Sequence, residues 1–305
     1  MSSFLGNDLR LPLFILKRIR CDDPSLTRAE CLRMMLYGVV SDLAHQLSHG
    51  MGDKFTLSDH RKPMMFIKRR MASKLMAAVR DKAAKEAEKL CASGQFAAAV
   101  VPLQFAIDLG DLLSLALKAW LLIRGRDGIK RDIMKAFVLA EEGARLGCHH
   151  CQGLMAYHYL EGLVCHKDCA RSQELARESA ERGSRYGQYA LGELLLSGAY
   201  GLAQDPVQAV VFFRLATEQG LDAAQNRLGC MYSNGQGVDK DSASALRLFQ
   251  FAAAQGYPDA LFNIAFSHEE GEGVTEDVAE AIRWYRRAQA AGCCQATNEL
   301  LRLGA

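Results

Sequence analysis

The sequence has little proline and no long apolar segment. Six of its 305 residues are proline, half are apolar and 24% are charged, which excludes collagen-like, mucin-like and disordered chains. Its apolar runs are short, as at residues 11–16, whereas a membrane-spanning helix needs roughly 20 apolar residues. We therefore expect a folded chain without a transmembrane helix. Because the chain exceeds the usual size of one compact domain, either two domains or one elongated array is expected.

Ten cysteines are present, but the N-terminal segment does not resemble a secretory signal. Residues 1–20 place Asp8 before a short apolar stretch and offer no small-residue cleavage site. Because free thiols fit a reducing compartment, the expected location is intracellular, with the cytoplasm preferred. The basic residues of the same segment leave a mitochondrial or other organellar presequence as the alternative, against which Asp8 counts.

Positive charge is concentrated near the N-terminus. Residues 1–90 contain 17 Lys and Arg against 10 Asp and Glu, whereas residues 91–305 contain 20 against 25. The segment 61–90 alternates basic with apolar side chains and predicts a basic amphipathic helix. A packed helix with a solvated charged face is the preferred interpretation. The alternatives are an acidic partner protein or RNA bound at 61–90, and an anionic membrane surface.

A repeat of 36 residues organises the rest of the chain, and such a period indicates a stacked array. Glycine, aspartate and alanine recur at this offset, as in Gly237 and Gly273, Asp241 and Asp277, Ala245 and Ala281, and Gly256 and Gly292. Five units result. They span 115–151, 152–187, 188–224, 225–260 and 261–296.

Each unit predicts two helices joined by a glycine loop. At the boundary of the third and fourth units, Ala224, Leu228 and Tyr232 follow helical spacing and form one inward stripe of a first helix. Gly229 lies inside this helix, where glycine costs about 1 kcal/mol against alanine. A small residue there indicates close approach by a neighbouring helix. Asp241 suits the N-terminal end of the second helix.

The pattern A-x3-LG-x2-Y-x2-G-x-GV-x2-D-x3-A-x6-A-x3-G resembles Sel1-like repeats, which are relatives of tetratricopeptide repeats. The match is nearly complete over 223–296 and weaker over 115–187. The resemblance implies an all-α fold, a right-handed α-solenoid of stacked helix-turn-helix units with a helical N-terminal extension. Residues 1–77 are then expected to form a basic helical cap, 78–114 a degenerate tetratricopeptide-like unit and 297–305 a C-terminal cap.

Four cysteines resemble a zinc-binding string, namely Cys148, Cys151, Cys165 and Cys169. The repeat places the first two before a first helix and the last two after it. About 12 helical residues separate those ends by ~18 Å, whereas zinc sulfurs lie about 2.3 Å from one ion. Ordinary turn and core residues are therefore the preferred interpretation, and no metal is expected. A smaller site with His149 or His150 is the alternative, and the Cys293–Cys294 pair is not expected to be reactive.

Sequence signatures of catalysis and nucleotide binding are missing. The chain has no GxSxG and no GxxxxGK[ST], and the GQGVDK and GEGVTE loops join helix to helix instead of strand to helix. No catalytic residue, no cofactor and no enzymatic activity are expected. The resemblance implies a non-enzymatic adaptor or assembly scaffold that binds a partner peptide or helix on its concave surface. The alternative is a structural subunit of a large assembly, such as an organellar ribonucleoprotein or respiratory complex.

Groove residues follow from the analogy with tetratricopeptide repeats, whose groove positions lie three before, one after and five after the small residue of each first helix. These positions carry Trp120, Arg124, Tyr157, Glu161, Tyr189, Glu193, Ser197, Asn226, Cys230, Asn234, Phe262, Phe266 and Glu270. The three glutamates predict a ligand with basic residues beside apolar anchors. Alternatively, the aromatic side chains pack against adjacent helices.

Overall fold

The computed structural model describes residues 61–125, 128–164, 166–198 and 202–305, without the side chains of 61–73 and 75. It divides into units of residues 1–80 and 81–305. In the first unit, residues 61–80 are helical. Of the helical cap predicted over 1–77, residues 61–77 are helical and the rest lies outside the described residues, as do the side chains at the start of the predicted basic helix.

The described residues form thirteen helices and no strand. The first is the long helix predicted over 61–90, and most of the others contain 13 residues. Their bounds are α1 Arg61–Ala92, α2 Phe96–Asp108, α3 Leu112–Arg124, α4 Ile133–Arg145, α5 His149–Glu161, α6 Cys169–Glu181, α7 Arg185–Ser197, α8 Pro206–Glu218, α9 Asp222–Asn234, α10 Ser242–Ala254, α11 Pro258–Glu270, α12 Val278–Ala290 and α13 Cys294–Arg302. The first helices of the five repeats are α3, α5, α7, α9 and α11, and the second helices are α4, α6, α8, α10 and α12.

Aspartate begins every second helix. In each repeat the side chain accepts a hydrogen bond from the backbone N–H three residues later, at 2.9–3.0 Å, which satisfies an amide that has no partner within the helix. The residues are Asp132, Asp168, Asp205, Asp241 and Asp277. The N-cap role predicted from the recurring aspartate is confirmed.

Glycine loops connect the two helices of a repeat. Gly235 ends α9 with a φ of 66°, a left-handed conformation that favours glycine. Gly237, at a φ of 70°, lies against the carbonyl of Pro206, so a Cβ there would collide with the preceding repeat. Both glycines are therefore required by geometry: one by the backbone conformation, the other also by the close contact between repeats.

The glycine inside a first helix marks a close approach between the two helices of a repeat. A Cβ on Gly229 would lie 2.6 Å from Cε1 of Phe249 on α10, and one on Gly192 would lie 2.7 Å from Cε1 of Phe213 on α8. The close approach predicted at this column is confirmed. Buried alanines such as Ala245 complete a core that continues from the first repeat to the last helix.

The array of residues 81–305 also contacts itself across a wide sequence separation. A Cβ on Gly94, in the turn between α1 and α2, would lie 3.2 Å from the carbonyl oxygen of Ala254 at the end of α10. The guanidinium of Arg124 in the first repeat lies 4.4 Å from the ring centroid of Tyr257, which begins α11. The degenerate unit and the first repeat therefore both touch the fourth repeat.

Candidate concave binding surface

A row of aromatic rings joins the first three repeats. The ring centroid of Trp120 on α3 lies 5.5 Å from that of Tyr157 on α5. The Tyr157 centroid lies 5.9 Å from that of Tyr189 on α7. These separations and the tilted rings are typical of favourable aromatic pairs. Burial raises the pKa of Tyr157 to about 12 and that of Tyr189 well above its usual value. The row is therefore neutral at physiological pH.

Arg124 closes one end of the aromatic row. Its guanidinium lies 5.6 Å from the ring centroid of Trp120, in addition to its contact with Tyr257. Such cation–π contacts are worth up to about 2 kcal/mol where water is excluded. Because Trp120 and Tyr257 belong to the first and fourth repeats, Arg124 holds distant parts of the array together.

A cavity of about 230 Å³ lies beside Arg124. Its walls include a second arginine, Arg185, whose terminal nitrogens donate to the Gln219 carbonyl at 3.2 Å and to the Tyr186 hydroxyl at 3.3 Å. The Nε of Arg185 is buried, and no described residue accepts a hydrogen bond from it. Other lining residues are Glu88, Cys91, Phe96, Trp120, Asp222 and Gln255. Residues from α1 and α2 therefore cover part of the surface that the first helices would otherwise expose.

Polar contacts replace the aromatic row in the later repeats. Arg227 of α9 makes a two-pronged contact with Glu193 of α7, at 2.6 and 3.0 Å. Asn263 of α11 donates to Asn226 of α9 at 2.9 Å, and its amide nitrogen lies 3.6 Å from the sulfur of Cys230. Burial raises the pKa of Glu193, and the Arg227 charge opposes this effect. These side chains bind one another across successive first helices.

The thirteen predicted groove residues fall into three classes of exposure. Trp120 and Tyr189 are buried. Arg124, Tyr157, Glu193, Asn226, Cys230 and Phe262 are half-buried. The remaining five are exposed, and we call them the concave rim: Glu161, Ser197, Asn234, Phe266 and Glu270.

The concave rim occupies recurring positions. Glu161, Ser197, Asn234 and Glu270 are the last residues of α5, α7, α9 and α11. Phe266 lies one turn earlier on α11 and is 44% exposed. Because equivalent helix ends of stacked repeats follow one another, these residues share one edge of the array.

Sequence reasoning missed Arg185, Tyr186 and Tyr257. All three lie at the starts of first helices, outside the columns taken from the tetratricopeptide analogy. The signal that could have indicated them is an arginine and aromatic residues beside the inter-repeat turn. The contact of Tyr257 with Arg124, and the cavity that Arg185 and Tyr186 share with Arg124, depend on how the repeats stack, which no local pattern encodes.

The fold places Cys148 and Cys151 on a different helix from Cys169. Cys148 is the N-cap residue of α5 and Cys151 lies within the first turn of that helix, whereas Cys169 begins α6. Cys165 lies outside the described residues. Within the described ranges no three His, Cys, Asp or Glu side chains converge as metal ligands. Over the same ranges no helix is both long and apolar enough to cross a membrane.

The Sel1 repeat profile matches five consecutive segments that together cover more than half of the chain. The segments are 113–148, 149–184, 185–221, 222–257 and 258–293. The chain therefore belongs to the Sel1 repeat family, and the predicted family, repeat number and α-solenoid fold are confirmed. Proteins built from these repeats are generally scaffolds for protein interactions and typically not catalysts.

Several solved structures resemble the chain at low sequence identity. A Sel1 repeat protein from Oxalobacter formigenes is 24% identical, with 71% of this chain and 87% of that chain covered and a TM-score of 0.48. A Sel1 repeat protein from Klebsiella pneumoniae is 22% identical, with 67% and 98% covered and a TM-score of 0.44. An immunity protein from Pseudomonas aeruginosa is 18% identical, with 70% and 83% covered and a TM-score of 0.43. No curated protein matches the chain.

Proposed function

We propose that this protein is a non-enzymatic adaptor that holds a peptide or helix of another protein along the concave rim. The proposal is supported by membership of a family of interaction scaffolds. It is also supported by the exposure of the five rim residues, since the remaining predicted groove side chains are partly or fully covered by their own chain. Stacked repeats present such an edge already ordered, which reduces the entropy cost of binding.

The single observation that carries the proposal is the placement of Glu161 and Glu270. Each is the exposed last residue of its helix, where the negative end of the helix dipole disfavours a carboxylate by about 0.3–1 kcal/mol. Glu181 and Glu218 end second helices in the same exposed way, so the helix end alone does not mark recognition, and the position of Glu161 and Glu270 on first helices is what favours it. Together with Phe266, the two carboxylates favour a ligand that offers basic residues beside an apolar anchor.

The test compares two triple variants of the full chain. Replacing Glu161, Phe266 and Glu270 by alanine removes the charged and apolar rim. Replacing Glu142, Glu218 and Phe251 by alanine removes the same residue types from exposed positions on second helices. Partners are identified by affinity purification with mass spectrometry from the native source, and their dissociation constants are then measured with purified proteins.

The rim variant should keep its circular dichroism spectrum and lose affinity by at least tenfold, whereas the second-helix variant should bind normally. Loss of binding only in the second-helix variant would move the interaction to the other face. Normal binding by both variants would also exclude the rim as the binding surface. Because alanine replaces carboxylates at helix ends, unfolding of the rim variant is not expected.

A further inference from the structure

Two cysteine side chains meet at the N-terminus of α5. Cys148 is the N-cap residue, and its Sγ accepts a hydrogen bond from the backbone N–H of Cys151 at 3.4 Å. The side chain of Cys151 is also hydrogen-bonded to that of Cys148. The thiol of Cys148 donates to the carbonyl oxygen of Leu112 at 3.5 Å, so the pair lies where the first two repeats meet.

The neighbouring helix leaves room for the second sulfur. A Cβ on Gly143 of α4 would overlap the Sγ of Cys151, so a larger residue there would displace this sulfur. Cys151 is fully buried, whereas Cys148 is 5% exposed and follows the exposed turn residue Gly147. Cys148 is therefore the sulfur nearer to solvent, with Cys151 behind it.

Equivalent helix starts show that capping alone does not require a cysteine pair. Ser184 caps α7, its hydroxyl accepting from the backbone N–H of Gly187 at 3.2 Å. Tyr257 begins α11 without a side-chain capping bond. Cys293 begins α13, but Ala296 stands at the position three residues later. Across the six equivalent helix starts, those of α3, α5, α7, α9, α11 and α13, a second cysteine accompanies the first at α5 alone.

The two thiols differ in acidity. The hydrogen bond from the Cys151 side chain, which outweighs burial, and the N–H groups of Cys151 and His150 lower the pKa of Cys148 to about 7. The same contact and burial raise the pKa of Cys151. Helix N-termini generally favour thiolates, and the thiolate is the reactive form. Cys148 is therefore the expected nucleophile.

We propose that Cys148 and Cys151 form a reversible disulfide by exchange with a low-molecular-weight disulfide such as oxidised glutathione. The Cys148 thiolate attacks one sulfur of the oxidant, which forms a mixed disulfide and releases one external thiolate. Cys151 then loses its proton and attacks Cys148 Sγ, which releases the second external thiol. Two electrons leave the protein thiols and reduce one external disulfide to two thiols.

The experiment equilibrates the full chain at neutral pH with mixtures of reduced and oxidised glutathione. After acid quenching, free thiols are alkylated and the tryptic peptide 146–167 is analysed by mass spectrometry. Wild type should lose the mass of two hydrogen atoms at Cys148 and Cys151, and dithiothreitol should restore both thiols. Cys151→Ala should instead accumulate a glutathione adduct on Cys148. Cys148→Ser, which can keep the cap as Ser184 does, should form neither product.

A kinetic readout separates a reactive pair from a purely structural cap. Alkylation of Cys148 should follow an apparent pKa of about 7, and Cys151→Ala should slow it at neutral pH on the order of tenfold by raising that pKa. Cys293, examined in a Cys294→Ala background, supplies the matched single N-cap cysteine and should form no intramolecular disulfide. Folded protein whose two thiols stay alkylatable in fully oxidised glutathione, or disulfide formation only in denaturant, would overturn the proposal.

Discussion

The predicted groove residues of the first three repeats differ from those of the last two. In the first three, Trp120, Tyr157 and Tyr189 form an aromatic row, and Arg124 ties its end to Tyr257. In the last two, an asparagine contact joins α9 to α11, and Phe266 and Glu270 are exposed. The first region uses its side chains to hold the array together, whereas the second leaves more of them available to a partner.

The difference shows that equivalent positions of the repeat can either pack within the array or face solvent. The same column of the first helix provides the buried Trp120 in the first repeat and the exposed Phe266 in the fifth. Residues of α1 and α2 line the cavity beside the first region, which adds to its burial. A repeat position therefore specifies where a side chain lies, and the neighbours in space decide whether it stabilises the fold or faces solvent.

The largest effect is expected from ending the chain after Gly256, which removes α11 to α13 and Tyr257. Loss of the repeat interface and of the Arg124–Tyr257 contact should lower the free energy of unfolding by more than about 2 kcal/mol. Emission from Trp120 should shift to longer wavelength, and full-length Trp284→Phe is the matched reference with the same single tryptophan. Unchanged Trp120 emission would show that the first region does not depend on the last repeats.

Replacing the glycine inside a first helix by a larger residue should have the next largest effect on stability. The loss should be similar in the two regions. Gly192→Leu and Gly229→Leu place a side chain against Phe213 and Phe249, respectively, and should each destabilise by about 1–3 kcal/mol. Chemical denaturation measures the change, with the exposed position of Gln250→Leu on α10 as control. A neutral result at either glycine would show that this helix contact is absent there.

Arg227→Met breaks the ion pair with Glu193 that joins the two regions, and it should lower the free energy of unfolding by about 1 kcal/mol. This value is smaller than that for a buried charged hydrogen bond because Arg227 is partly exposed. The cost should depend on pH. Burial holds the folded-state pKa of Glu193 above its unfolded value, and loss of Arg227 raises it further. The stability associated with protonated Glu193 is present at acidic pH and is lost as the pH rises through the folded-state pKa.

The destabilisation by Arg227→Met should therefore grow from acidic to neutral pH, as measured by urea unfolding at each pH. In a Glu193→Gln background the same arginine substitution should show no such dependence. A constant difference across pH in the wild-type background would mean that the carboxylate and the guanidinium are not coupled.

The smallest effect is expected from Tyr157→Phe, which keeps both ring contacts of the aromatic row. The free energy of unfolding should change by no more than about 0.5 kcal/mol. Tyr157→Ala, which removes the ring, should cost about 2–4 kcal/mol. Equal losses in the two variants would indicate that the hydroxyl, and not the ring stacking, stabilises this region.

Local patterns were sufficient to predict the repeats, their paired helices and the residues that begin and end them. Asp241 caps its helix through a contact three residues away, and Gly229 is small because the partner helix of its own repeat carries Phe249. Such interactions recur with the 36-residue period, so they can be read from one sequence.

Only the tertiary structure showed which of the predicted groove residues are exposed to solvent. Arg124 and Tyr257 are more than three repeats apart, and they meet because small rotations between repeats accumulate along the array. The cavity beside Arg185 likewise depends on how residues of α1 and α2 return to the first helices. Trp120 is buried against Tyr157 and Tyr186 of other repeats, whereas Phe266 is exposed. Such contacts depend on how one repeat is placed against the next, which the sequence pattern of a single repeat does not reveal.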